Sequence, residues 1–150
     1  MKLSVIIPVY NEVESIETIL KRVQDTKLAH EILVVDDGSK DGTRDVLQKL
    51  DGKKGVRVIL HEKNQGKGAA IRTGLKGSTG DVVIIQDADL EYDPREYARL
   101  LAPLLTGQAD AIKQGAYDFI EKPFKADRLV LVAQRALETS RLKREVKALK

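Results

Sequence analysis

The sequence predicts an α/β protein: a three-layer, doubly wound parallel sheet of five strands in the order 3-2-1-4-5, with a long C-terminal helix. Three observations carry this expectation. Short runs rich in Val and Ile recur at Ser4–Val9, Glu31–Asp36, Val56–His61, Asp81–Gln86 and Tyr117–Glu121. One-faced helical patterns fill the gaps between them. A chain of 150 residues also suits one domain with a single core. Alternating strands and helices imply a parallel sheet covered on both faces, and right-handed crossovers leave few topologies.

The first run should end about Pro8, which has no N–H to give a ladder, leaving Val9–Glu12 as a loop. Ile16, Ile19, Leu20 and Val23 then keep the spacing of an amphipathic helix. After the second strand, Asp41-Gly42-Thr43 opens another helix, and Gly66 opens a third beyond strand 3. Asp93-Pro94 starts the next, with Tyr97, Leu100, Leu101, Leu104 and Leu105 on one face. Pro103 and Gly107 should kink or split it, and Gly115 can end it before a strand begins at Tyr117. The final helix, about Ala126 to Leu149, would be ~36 Å long against ~17–20 Å for a strand. Its end, with Leu142, Val146 and Leu149 as a thin stripe, either frays into solvent or pairs with a second copy as a homodimer.

No cysteine is present, so disulfides and thiol chemistry are excluded. With 42% hydrophobic and 33% charged residues and no apolar run near ~20 residues, the composition is that of a soluble protein without a membrane span. Met1 runs directly into a strand pattern rather than a signal peptide, which points to a cytoplasmic setting. Five Lys/Arg against Glu145 give residues 141–150 a net +4, so the remaining 140 residues carry −1 of the total +3. A charge confined to one helix end, in a chain only 4% aromatic, argues against a nucleic-acid partner.

In such a sheet, ligands bind beyond the carboxyl ends of the strands. Pro8–Glu12, Asp36–Ser39, Gln65–Gly68 and Asp87–Glu91 all fall there, bringing Tyr10, Glu12, Asp36, Asp37, Asp87 and Asp89 toward one crevice. Residues i and i+2 share a face in extended backbone, so Asp87 and Asp89 can converge and invite Mg²⁺ or Mn²⁺ together with a ligand's phosphates. The bland alternative is that these acids only cap the following turn and helix. Gly66-Lys67-Gly68 lacks the third glycine of a dinucleotide fingerprint, at Ile71, and follows strand 3 rather than strand 1. Lys67 reads as a solvated lysine. His30 and His61 have no partners at metal spacing and receive no function.

Ser4-Val5-Ile6-Ile7-Pro8-Val9-Tyr10-Asn11-Glu12, Val34-Val35-Asp36-Asp37-Gly38-Ser39, Asn64-Gln65-Gly66-Lys67-Gly68 and Asp87-Ala88-Asp89 together resemble the nucleotide-sugar half of a family-2 glycosyltransferase. Asp87-Ala88-Asp89-Leu90-Glu91 looks most like the polyprenyl- or dolichyl-phosphate mannosyl- or glucosyltransferase branch. The resemblance implies that Pro8, Tyr10 and Glu12 surround the base and ribose of a nucleotide-sugar, with Asp36 and Asp37 in the same nucleotide site and Asp37 touching base or ribose. It further implies that Asp87 and Asp89, with Glu91 beside them, hold a divalent metal and the diphosphate.

From residue 111 the motif changes. Ala111-Ile112-Lys113-Gln114-Gly115-Ala116-Tyr117-Asp118-Phe119-Ile120-Glu121-Lys122-Pro123-Phe124 resembles the end of a nitrogen-regulation-type receiver domain, with Lys122 as a remnant of its phosphoryl site. The chain therefore reads as a single domain, 1–150, and as an engineered chimera. Residues 1–110 form a nucleotide-sugar-binding half, and 111–150 supply a receiver-like last strand and helix. On this reading at most residual nucleotide-diphosphate or nucleotide-sugar and metal binding survives, without a complete active site or turnover, and Lys122 ends beside Asp87. The alternatives are an active, metal-dependent inverting glycosyltransferase acting on a polyprenyl phosphate, and a receiver-type signalling module.

Overall fold

A computed structural model describes residues 2–88, 94–98 and 129–132. Its elements are β1 (Leu3–Val9), α1 (Ile16–Asp25), β2 (Ala29–Asp36), α2 (Thr43–Leu50), β3 (Val56–Leu60), α3 (Lys67–Gly77), β4 (Val82–Ile85), a 3₁₀ turn (Pro94–Glu96) and β5 (Leu129–Val132). All pairings are parallel, and the first four strands lie in the expected order β3-β2-β1-β4.

Strand alternation decides which helix covers which face. Val5, Ile7 and Val9 of β1 join Ile32, Val34, Val82 and Ile84 in one apolar cluster with Ile16, Ile19, Leu20 and Val23 of α1 and Leu47 of α2. Tyr97 completes that layer and donates to Gln86 Oε1 over 2.6 Å. The intervening residues Ile6 and Leu33 face α3, which packs on β1 and β2. The approach is close at Gly74, where a Cβ would lie 2.5 Å from Ile6 Cγ2. Each large aliphatic side chain buried in these layers stabilises the fold by roughly 1.5–3 kcal/mol.

Two expectations need correction. β1 runs one residue past Pro8, and the reason is positional. The Ile6 carbonyl accepts from Gln86 on the β4 side, whereas the Val9 carbonyl accepts from Asp37 on the β2 side. Pro8 alternates with Ile6 and so faces β4, where pairing has already ended at Ile6–Ile85. Its missing N–H costs no ladder bond.

The second correction concerns Leu129–Val132, assigned from sequence to the long C-terminal helix. It is a strand, β5, running parallel beside β4 from Val82–Leu129 to Ile85–Val132. Four consecutive branched aliphatics suit a doubly covered parallel strand as well as a buried helix, and periodicity alone does not separate the two. The place beside β4 reserved for Tyr117–Glu121 is thus taken by other residues. Tyr117–Glu121 itself, the rest of the expected final helix and its dimer stripe lie outside the described residues. No helix among the described residues is long and apolar enough to cross a membrane.

Candidate functional site

The carboxyl ends of β1, β2 and β4 and the first turn of α3 enclose a cleft of about 320 Å³, lined by Pro8, Tyr10, Glu12, Asp37, Lys67 and Asp87 among others. That volume is at the lower end of the range for small-molecule pockets. Four chain segments separated by long stretches of sequence meet here, so the cleft depends on how its loops are fixed.

The loop after β1 is tied to the loop after β2. Asn11 has a left-handed φ of 52°, its N–H donates to Ser39 Oγ over 2.8 Å, and its side-chain oxygen accepts the Lys40 N–H at 2.8 Å. The Glu12 N–H donates to Thr43 Oγ1, and the Val13 N–H to Asp41 Oδ2. Desolvation opposes ionisation of Asp41, but the Thr43 hydroxyl and the N–H groups of Thr43 and Val13 together outweigh it, holding its carboxyl below the usual aspartate range. Ser15, just ahead of α1, donates to the Ala88 carbonyl and so anchors the peptide that follows Asp87.

The adjacent aspartates of β2 and its loop separate. Asp37 lines the cleft, as expected. Its Oδ1 accepts from the Gln65 N–H at 2.8 Å and from His61 Nδ1 at 2.9 Å, and its Oδ2 accepts from the Gly66 N–H at 2.8 Å. Asp36 does not line the cleft. It is fully buried, and its Oδ2 accepts from the Ser39 N–H and from Arg44 Nε at 2.8 Å, while Arg44 also reaches the His61 carbonyl. Neighbouring side chains leave extended backbone in opposite directions, which is why the pair cannot serve one pocket. Gly38 follows at φ 85°, and a Cβ there would stand 2.8 Å from the Asn64 nitrogen, so the loop after β3 closes over a position only glycine fits.

Lys67 is not simply solvated: its Nζ lies 2.6 Å from Asp87 Oδ1 across the cleft. Of the expected metal ligands, Asp87 is at the wall, while Asp89 and Glu91 lie outside the described residues, as does Lys122. No group of three metal-ligating side chains is formed among the described residues. The position foreseen for Lys122 beside Asp87 required Tyr117–Glu121 next to β4, and the ammonium on Asp87 is that of Lys67. His61 is the other residue that sequence reasoning passed over. It follows β3 at the carboxyl edge of the sheet, so the rule that selected the other loops would have selected it too.

Parallel strands in the order 3-2-1-4, with acidic loops at their carboxyl ends around one cleft, define a doubly wound α/β fold of the ligand-binding kind. The model for Glycosyl transferase family 2 matches residues 4–147, and the chain belongs to that family. It is 40% identical over 114 residues to dolichol-phosphate mannosyltransferase of Pyrococcus furiosus, covering 75% of this chain and 32% of that protein. It is 46% identical over 105 residues to undecaprenyl-phosphate 4-deoxy-4-formamido-L-arabinose transferase of Pseudomonas aeruginosa, covering 65% of this chain and 31% of that one. The chain thus spans about a third of the length of these relatives. Glucosyl-3-phosphoglycerate synthase from Mycobacterium tuberculosis, in complex with Mn²⁺ and UDP-glucose, superposes with a TM-score of 0.60 at 31% identity, over 71% of this chain and 40% of that one. This likeness makes the fold GT-A-like.

The family match overturns the expectation of an engineered chimera without a complete active site. It continues past Asp110 to residue 147, so the stretch from 111 onward falls within the same family as the rest. The receiver resemblance around Lys122 has no support beside it.

Proposed function

We propose that this chain is the donor-binding part of a glycosyltransferase that moves a sugar from a nucleoside diphosphate to a polyprenyl phosphate with the help of Mg²⁺ or Mn²⁺. The observation that carries the reading is the convergence of Tyr10, Glu12, Asp37, Lys67 and Asp87 on one cleft. The relatives named for dolichyl- and undecaprenyl-phosphate transfer supply the acceptor class, and the synthase complexed with Mn²⁺ and UDP-glucose supports the donor and metal classes. That Leu129–Val132 joins the same sheet favours one domain across 1–150.

Each side chain has a role that follows from its chemistry. The Tyr10 ring, 46% exposed at the rim, offers a face on which a base can stack. Ionised Glu12 and Asp37 accept hydrogen bonds only, so they select base N–H and ribose O–H groups. Lys67, at the start of α3, is a cation at a helix N-terminus, where backbone N–H groups also favour phosphate. The donor set fits a divalent ion held by one or two carboxylates plus the ligand's phosphates: Asp87 provides the first, and Asp89 and Glu91 follow in sequence. When bound, such an ion would neutralise the charge that builds on the departing diphosphate.

Calorimetry with UDP and GDP, each with and without Mn²⁺, tests the donor site. Binding of at least one nucleotide only with metal is the expected result, and no binding of either would end the reading. Transfer is tested separately by mass spectrometry of dolichyl or undecaprenyl phosphate incubated with UDP- and GDP-sugars. Donor hydrolysis alone would count against a transferase.

A further inference from the structure

We infer that His61 is a positioning residue for the nucleotide site, acting through Asp37, an inference that rests on the donor-site reading above. His61 is buried, at 8% exposure, just beyond β3 and between the loop after β2 and α3. Its Nδ1 lies 2.9 Å from Asp37 Oδ1, and its Nε2 lies 2.8 Å from Thr73 Oγ1 on α3. A carboxylate can only accept, so the proton of this contact sits on Nδ1. Nε2 is then free to accept from the Thr73 hydroxyl.

The consequence for Asp37 is a division of labour between its oxygens. Oδ1 already receives two donors, His61 and the Gln65 N–H, which fills its lone pairs. Oδ2 receives one from the described residues, the Gly66 N–H, and keeps one lone pair for a ligand. His61 therefore fixes which oxygen of Asp37 meets the nucleotide. Through Thr73 it also holds the helix whose first turn carries Lys67. Without the Nδ1–H donor, the Gln65 and Gly66 N–H groups still hold one oxygen each, but Oδ1 regains a lone pair and competes for the same ligand hydrogen.

The two isosteric amides separate the contacts. In His61→Asn the side-chain nitrogen can take the place of Nδ1 and still donate to Asp37. His61→Gln reaches toward Thr73 instead and leaves Asp37 without that donor. Measured by calorimetry with UDP and GDP in Mn²⁺, the Gln variant should bind about tenfold more weakly, while the Asn variant should stay within about threefold of the parent. Thermal unfolding identifies folded variants. Equal losses in the two, or no loss in a folded Gln variant, would overturn the inference.

Nitrogen-15 NMR of the unsubstituted chain gives an answer that needs no variant. An Nδ1–H signal from His61 should be present without ligand and should shift when UDP or GDP is added with Mg²⁺. A signal that stays still on saturation overturns the positioning role. If the unsubstituted chain binds neither nucleotide, the donor-site reading fails and this role fails with it. The Nδ1–H signal would then still report the bond to Asp37, so the two failures are told apart.

Discussion

The Lys67 ammonium rests on Asp87 Oδ1, one of the two oxygens with which that carboxylate could hold a divalent ion. On the proposed donor-site reading, a lysine there would compete with a metal until a diphosphate drew it away. Lys67 is 46% exposed, so solvent screens the pair and its net worth is at most ~1 kcal/mol. Lys67→Ala should therefore raise the affinity for Mn²⁺ alone by about threefold to fivefold, read by Mn²⁺ electron paramagnetic resonance. In saturating Mn²⁺ the same variant should bind UDP or GDP about tenfold more weakly. Equal weakening of metal and nucleotide would show that Lys67 does not guard Asp87. The two β2 aspartates give a second contrast. Asp36→Ala leaves Arg44 and the Ser39 N–H without their acceptor in a fully buried place, and should cost roughly 2–4 kcal/mol in urea unfolding. Asp37→Asn must turn its NH2 toward at least one of the Gln65, Gly66 and His61 donors, so it should lower nucleotide affinity as well as stability. Loss of affinity in a stable Asp36→Ala protein would reverse these assignments.

Among the elements, the sheet's carboxyl end carries the cleft and its amino end carries a structural cluster. Glu31 of β2 accepts from the Ser4 hydroxyl of β1, from the N–H and hydroxyl of Thr79 before β4, and from Arg57 of β3. Burial opposes its ionisation, but these donors outweigh burial and hold its carboxyl below the usual glutamate range. A depressed carboxylate stabilises the fold above its unfolded pKa and loses that contribution as pH falls through its folded one. Glu31→Gln should thus destabilise the chain at neutral pH and converge with the parent in acid. A stability gap that stays constant down to pH 2 would refute the linkage. On the other face, Gly74→Ala should gain up to ~1 kcal/mol of helix propensity yet lose more to the clash with buried Ile6, for a net loss of roughly 1–2 kcal/mol in thermal unfolding.

The elements that were legible in sequence owe it to local cues. Val/Ile runs marked β1 to β4, and the carboxyl-edge rule brought Tyr10, Glu12, Asp37 and Asp87 together. β5 was misread because Leu129-Val130-Leu131-Val132 leads into the apolar stretch ending at Leu137, which satisfies a buried helix equally well. Asp36 was legible in principle, since alternation turns it away from Asp37, whereas the pairing of Lys67 with Asp87 and of His61 with Asp37 joins segments distant in sequence. Side-chain pairing across loops leaves no period in the sequence.

For the molecule as a whole, the cleft is where distant segments meet, so a ligand that bridges them should stabilise the entire fold. A ligand bound only by the native state adds RT ln(1 + [L]/Kd), about 2.7 kcal/mol at a hundredfold excess over Kd. In a domain of this size ~1 kcal/mol moves the midpoint by roughly 2–4 °C, so UDP or GDP with Mn²⁺ should raise Tm by about 5–10 °C. Chelation of the metal should cancel most of that rise, because the diphosphate would then face Asp87 with only the single charge of Lys67 between them. Asp87→Ala should abolish the Mn²⁺-dependent part and keep any contribution from base stacking on Tyr10, whereas Tyr10→Ala should do the reverse. Differential scanning calorimetry of the parent and both variants, with and without chelator, resolves the two contributions. A rise in Tm that ignores the chelator would mean that the nucleotide is held without metal at Asp87, and the donor-site chemistry proposed for this cleft would have to be abandoned.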